Sequence, residues 1–146
     1  MCWSPSPYTL WYVRWGLAAV MPQILVVEDD DAIRELVSDV LRDDGYDVRE
    51  ATNGVEALGR IREERPDLIV LDLMMPVMDG WTFVEECHGQ AHCHDVPIIV
   101  TSASHDLPRT AERLRSFGVR TCLAKPFDVD GLLALVERYV PSVPAA

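Results

Sequence analysis

Gln23-Ile24-Leu25-Val26-Val27-Glu28-Asp29-Asp30-Asp31 carries the architecture of the chain in nine residues. After Gln23 four residues form an unbroken apolar run, and four acids come next without a break. A run this short, with no polar alternation, reads as a strand covered on both faces, the signature of a parallel sheet between helices. Beyond the acids the period changes. Ile33, Leu36, Val37, Val40 and Leu41 recur at helical spacing over Asp31–Asp43, and Gly45 stands as a stop signal. One strand–helix unit is thus written into about twenty residues, with the acids at the strand's carboxyl end.

The same unit recurs four more times. Asp47–Ala51 reads as a short strand, and Asn53 as the cap of a helix carrying Val55, Leu58 and Ile61, ended before Pro66. Leu68–Leu71 is a buried strand, followed by a short helix over Gly80–His88. Val96–Thr101 is a strand, followed by a helix over Leu107–Phe117 with Gly118 at its end. Thr121–Ala124 is the last strand, and Asp128 caps a helix holding Leu132, Leu133, Leu135, Val136 and Tyr139. Five such units predict an α/β fold: a doubly wound five-stranded parallel sheet with helices on both faces. The boundaries read from the chain are a leader at 1–20, one domain at 21–140 and a short tail at 141–146.

The leader is distinct in composition. Residues 1–20 hold three of the four tryptophans, one base and no acid. Tyr8, Trp11, Tyr12 and Trp15 would line one helical face. Two readings stay open: a segment foreign to the natural protein, which would then start at Met21, or an aromatic docking segment. Arg14 interrupts its apolar stretch and no basic region precedes it, so it does not read as a signal peptide. No run approaches the roughly 18 apolar residues of a membrane span.

Composition limits the classes of partner. The 146 residues carry 24 acids against 13 Lys and Arg, a formal charge of −11. Phosphate-neutralising nucleic-acid binders and binders of anionic membranes need basic stripes, so neither is expected. Four cysteines without a CxxC pair read as reduced thiols of a cytoplasmic protein. Cys87, His88, His92, Cys93 and His94 are all competent metal ligands, but their spacing fits no standard zinc module and reads as a solvated loop, with Cys87 open to facing the core.

In a parallel sheet of this kind the working edge lies at the carboxyl ends of the strands. Those ends read Glu28-Asp29-Asp30, Asp72, Thr101-Ser102 and Lys125-Pro126. Lys125 is the single lysine of the chain. Crowded carboxylates repel: two unit charges about 4 Å apart cost about 4 kcal/mol at an effective dielectric near 20. A hard cation such as Mg²⁺ relieves that repulsion and leaves coordination positions for a phosphoryl group. An ionised Asp72 on a rigid strand end can attack phosphorus, Lys125 can balance the phosphoryl oxygens, and Ser102 can donate a hydrogen bond to one of them.

Four segments then carry a resemblance: Ile24-Leu-Val-Val-Glu-Asp-Asp-Asp31, Leu71-Asp-Leu-Met-Met-Pro-Val-Met-Asp-Gly80, Ile98-Ile-Val-Thr-Ser-Ala103 and Leu123-Ala-Lys-Pro-Phe127. In this order and spacing they resemble the receiver domain of two-component response regulators, over residues 23–140. The resemblance implies a flavodoxin-like (βα)5 sheet of strand order 2-1-3-4-5. It implies that Asp72 is the phosphoacceptor, and that Glu28, Asp29, Asp72 and the Met74 backbone carbonyl hold Mg²⁺. It further implies that Ser102 is the switch hydroxyl, Lys125 the site lysine, Pro126 a cis proline, and Asp79-Gly80 the turn that opens the third helix.

The function it implies is that of a stand-alone cytoplasmic response regulator, a switch and not an enzyme. A histidine kinase or phosphotransfer protein would donate the phosphoryl group, and a downstream protein would read the result. One position departs from the family. Cys122 stands where an aromatic residue usually couples phosphorylation to output, and a thiol cannot repeat the movement of a ring. Two rival readings have less support. A phosphohydrolase of the haloacid dehalogenase type would need an acid where Met74 stands, and a receiver that binds partners without phosphorylation has only Cys122 in its favour.

Overall fold

The computed structural model describes residues 21–141, apart from 91, 92, 94, 104–106 and 120. The expectations for the leader, for His92 and His94, and for most of the tail lie outside these residues. Among the described residues five strands alternate with five helices. They are β1 (Gln23–Val27), α1 (Asp31–Asp43), β2 (Asp47–Ala51), α2 (Gly54–Glu63), β3 (Leu68–Asp72), α3 (Gly80–Gly89), β4 (Ile98–Ser102), α4 (Leu107–Arg115), β5 (Thr121–Ala124) and α5 (Val129–Tyr139).

All strand pairs are parallel and the order is β2-β1-β3-β4-β5, as expected. The three central strands are buried along their whole length, while β2 and β5 at the edges are partly exposed. Side chains alternate between two cores with the period of two that a strand imposes. Leu25, Val27, Ile69, Leu71, Ile98 and Val100 face one core, where α2, α3 and α4 supply Leu58, Ile61, Phe83, Val84 and Leu114. Ile24, Val26, Leu68, Val70 and Ile99 face the other, with Val37 and Leu41 of α1 and Leu132 and Val136 of α5. Tyr46 clips that second core shut by donating its hydroxyl to the Val140 carbonyl.

Helix starts obey the chemistry of the caps. Asp30, Asn53 and Asp79 accept from the N–H of Ile33 (3.1 Å), Glu56 (2.9 Å) and Thr82 (2.9 Å), and Asp128 accepts from Asp130 (3.1 Å).

Some boundaries and orientations differ from expectation. β4 begins at Ile98, because Pro97 has no N–H to pair, although its carbonyl accepts from Ile69. β3 includes Asp72, which is in register with Thr101. α4 ends at Arg115, and a tight turn comes after it in which Gly118 takes φ +85°. Leu36 and Val55 have the helical spacing but point outward, 52% and 53% exposed, because the buried stripes run through Val37 and Leu41 in α1 and through Ala57, Leu58 and Ile61 in α2.

Gly80 starts α3 pressed against the chain that leaves β3. A Cβ there would lie 2.6 Å from Leu73 Cα and 2.9 Å from the Asp72 carbonyl oxygen. Those neighbours are backbone and cannot rotate away. Gly80→Ala is therefore expected to cost about 3 kcal/mol, read as a lower urea midpoint with an unchanged slope. An unaltered midpoint would show that α3 can shift to make room.

Candidate phosphorylation site

The site is assembled by the ends of three strands, β1, β3 and β5. β1 runs out at Val27, and the next two residues put Glu28 (4% exposed) inside and Asp29 at the surface. Asp72 closes β3 and is 4% exposed. Lys125 comes after β5, beside a cis Lys125–Pro126 peptide, and its N–H is held by the Ser102 carbonyl at 2.8 Å. Carboxylate oxygens of Glu28, Asp29 and Asp72 lie within 4.8 Å of one another. Lys125 Nζ enters this group, 2.6 Å from Glu28 Oε1 and 3.3 Å from Asp72 Oδ1.

The electrostatics result from that crowding. Burial, together with the nearby Asp72, pushes the Glu28 carboxyl up from 4.5 to about 8, and Lys125 offsets only part of this. Burial pulls the Lys125 ammonium down, but its hydrogen bond and attraction to Glu28 and Asp72 prevail, so it sits above its ordinary 10.5. A buried acid forced to hold its proton is what an acid cluster shows when one cation is too few. Three hard oxygen donors, one of them reluctant to ionise, fit a small divalent cation with an oxygen preference.

Four expected site residues are therefore brought together: Glu28, Asp29, Asp72 and Lys125. Met74 is 66% exposed, and its N–H donates to Asp72 Oδ1 at 3.2 Å. Ser102 ends β4, one strand beyond Asp72, and is 1% exposed. Thr101, its neighbour, turns its hydroxyl to the Leu71 carbonyl at 3.5 Å. Val77, in the loop after β3, takes φ +68° in a turn closed by Met78 N–H and the Pro76 carbonyl. For a β-branched residue this is strain, of a kind that gathers near working sites.

Cys122 pairs with Val100 and packs, half-buried, against the core of α2, α3 and α4. It is a free thiol whose pKa burial raises. It occupies the expected place of the aromatic residue and offers no ring.

Two features are not legible in the sequence. Cys87 and Cys93 are not the reduced thiols expected of them; they are joined in a disulfide, with Cα atoms 5.2 Å apart. Cys87 continues the buried stripe of Phe83 and Val84, and the chain then folds back through N–H bonds from Gln90 to Cys87 and from Cys93 to Gln90, which carries Cys93 into the same core. The second feature is Arg34, whose Nη1 donates to the Glu28 carbonyl at 2.9 Å. A cation four residues into a helix opposes the helix dipole, which is the one signal the chain offers for it.

Known proteins share this sequence pattern and this fold. The model of the response regulator receiver domain matches residues 24–137. The chain is 38% identical to the DNA-binding dual master transcriptional regulator RpaA of Synechocystis over 80% of its length and 48% of the relative's. It is 41% identical to the response regulator MprA of Mycobacterium tuberculosis over 77% of its length and 47% of the relative's. It thus spans about half the length of these two. Sporulation initiation phosphotransferase F of Bacillus subtilis is 34% identical over 82% of the chain and 94% of that protein. Among solved structures, chemotaxis response regulator CheY4 of Vibrio cholerae aligns with TM-score 0.77 and 34% identity over 83% of this chain and all of that one. The receiver domain of sensor histidine kinase PA1611 of Pseudomonas aeruginosa, solved with a magnesium ion coordinated in its active site cleft, aligns with TM-score 0.74 and 31% identity over 84% of this chain and all of that one.

Proposed function

The chain belongs to the response regulator receiver domain family, and from that premise we propose that residues 21–140 form a Mg²⁺-dependent phosphorylation switch with Asp72 as its acceptor. One observation carries the reading: Lys125 Nζ sits 2.6 Å from Glu28 and 3.3 Å from Asp72, within an acid trio. Glu28, Asp29, Asp72 and the Met74 carbonyl would hold Mg²⁺, which supplies charge neutralisation at the phosphoryl oxygens. The solved relative with magnesium in its cleft supports that assignment.

In the transfer, an Asp72 carboxylate oxygen bonds to phosphorus as the bond from phosphorus to the donor's imidazole nitrogen breaks. The electron pair leaves with the imidazole, which takes a proton from water. Lys125 turns from the carboxylates to the arriving dianion, and the Ser102 hydroxyl donates to one of its oxygens. The work is positioning and charge balance. The phosphoryl group comes from a histidine kinase or a phosphotransfer protein, and the switch assists its own loss as well as its gain.

The output is read by a protein partner. The acidic balance of −11 favours that over nucleic acid, and among the described residues no helix is long and apolar enough to cross a membrane. We place the protein in the cytoplasm. With Cys122 in the ring position, the signal passes through the β4–α4 loop and α4, which Arg113 anchors over the Trp81 ring at 4.3 Å. Moving such an equilibrium from 1:99 to 99:1 takes about 5.5 kcal/mol of differential stabilisation.

The test is incubation of the full chain with acetyl phosphate. With Mg²⁺ the intact mass rises by one phosphoryl group, and a chelator abolishes the gain. A gain that survives chelation would refute the metal-dependent site.

A further inference from the structure

We propose that Arg34 is a positioning residue that sets the affinity of the acid cluster for a divalent cation; this rests on the metal-holding role given above to Glu28 and Asp29. The β1 ladder ends at Val27, in register with Ala51 on one side and Leu71 on the other. Beyond it, Glu28 keeps one strand-like bond, from its N–H to the Ala51 carbonyl at 3.0 Å. Its own carbonyl lies past the ladder, and Arg34 Nη1 donates to that oxygen at 2.9 Å. The carbonyl of Glu28 and the N–H of Asp29 belong to one planar peptide unit. Holding that oxygen fixes the plane between the two acids and so the directions in which both side chains leave.

Arg34 is itself held. Its side chain is 16% exposed, its Nη2 donates to Asp31 Oδ1 at 2.6 Å, and its Nε stands 3.8 Å from Glu50 Oε1. Glu50 lies on β2, next to Ala51, and accepts from the fully buried Ser38 hydroxyl at 2.9 Å. A bracket therefore runs from Ser38 through Glu50 and Arg34 to the Glu28 carbonyl. Asp31 and Glu50 neutralise the guanidinium, so its part at the site is geometric and not that of a second counter-charge. Partners of this kind, which hold the metal ligands without touching the metal, typically govern affinity by about tenfold to a hundredfold.

The test is calorimetric titration of the full chain with MgCl₂. Arg34→Ala is expected to raise the Mg²⁺ Kd about tenfold, and Arg34→Lys, which keeps one donor without the fork, to fall between it and wild type. At saturating Mg²⁺ the phosphorylation rate of both variants returns to the wild-type value. Arg42→Ala removes the other guanidinium beside Glu50, at 3.9 Å, and leaves the Kd unchanged. Equal Kd values for wild type and both Arg34 variants, or an equal rise in Arg42→Ala, overturn the proposal while leaving the metal site standing. Absence of Mg²⁺ binding by the wild type overturns both.

Discussion

Asp72→Asn takes up no phosphoryl group from acetyl phosphate and Mg²⁺, under conditions in which the wild type gains one. The amide keeps the size and shape of the side chain but lacks the anionic oxygen that attacks phosphorus. The loss will not be a folding defect, and the electrostatics of the site say why. Burial raises the Glu28 carboxyl most, and Asp72 adds to it through both hydrogen bonding and repulsion. Removing its charge takes that repulsion away and leaves Glu28, still raised by its burial, facing Lys125 alone at 2.6 Å. The metal-free variant should therefore melt no lower than the metal-free wild type near pH 8. Intact mass and a thermal melt together check the two halves. An equal mass gain in the variant would move the acceptor elsewhere, and a much lower melt would make the loss structural.

The apparent affinity for Mg²⁺ falls about tenfold for each pH unit below about 8, because binding requires an ionised Glu28. The sign for stability runs the other way. Glu28 has a folded pKa of about 8 against 4.5. In the metal-free protein its contribution is therefore fully present below pH 4.5 and is lost as pH rises through about 8. The metal-free melting temperature declines across that window, and saturating Mg²⁺ cancels the decline. Lys125, raised above 10.5, titrates outside it. Calorimetric Kd values at several pH settings check the slope, and Glu28→Gln should flatten it. A Kd that stays constant for the wild type would mean that Glu28 is already ionised in the metal-free protein.

Much of the site was legible in the chain because strand ends are local events. An apolar run stopping at Glu28, another at Asp72 and a third at Lys125-Pro126 put the key groups on one edge once the strands are taken as parallel. Helix caps at Asp30, Asn53, Asp79 and Asp128 were equally local, since each is a side chain folding back on the next two or three residues. The outward turn of Leu36 and Val55 was not, because period alone does not say which edge of an apolar stripe meets the sheet. Nor was the Cys87–Cys93 pairing, which depends on the turn that brings the chain back after α3.

Five strand–helix units, the polarity of their ends and the side chains chemically fit to act were all readable from the order of residues. Those properties live in residue type and spacing of a few positions, where propensity and period suffice. It took the folded chain to bring Lys125 to Glu28 across 97 residues, to push Glu28 to about 8, and to set Arg34 on the backbone between two acids. Those depend on an ångström or two between groups on different elements, 97 residues apart for Lys125 and Glu28 and six for Arg34 and Glu28. Coulomb and hydrogen-bond energies change steeply over such distances, whereas residue spacing carries no record of them.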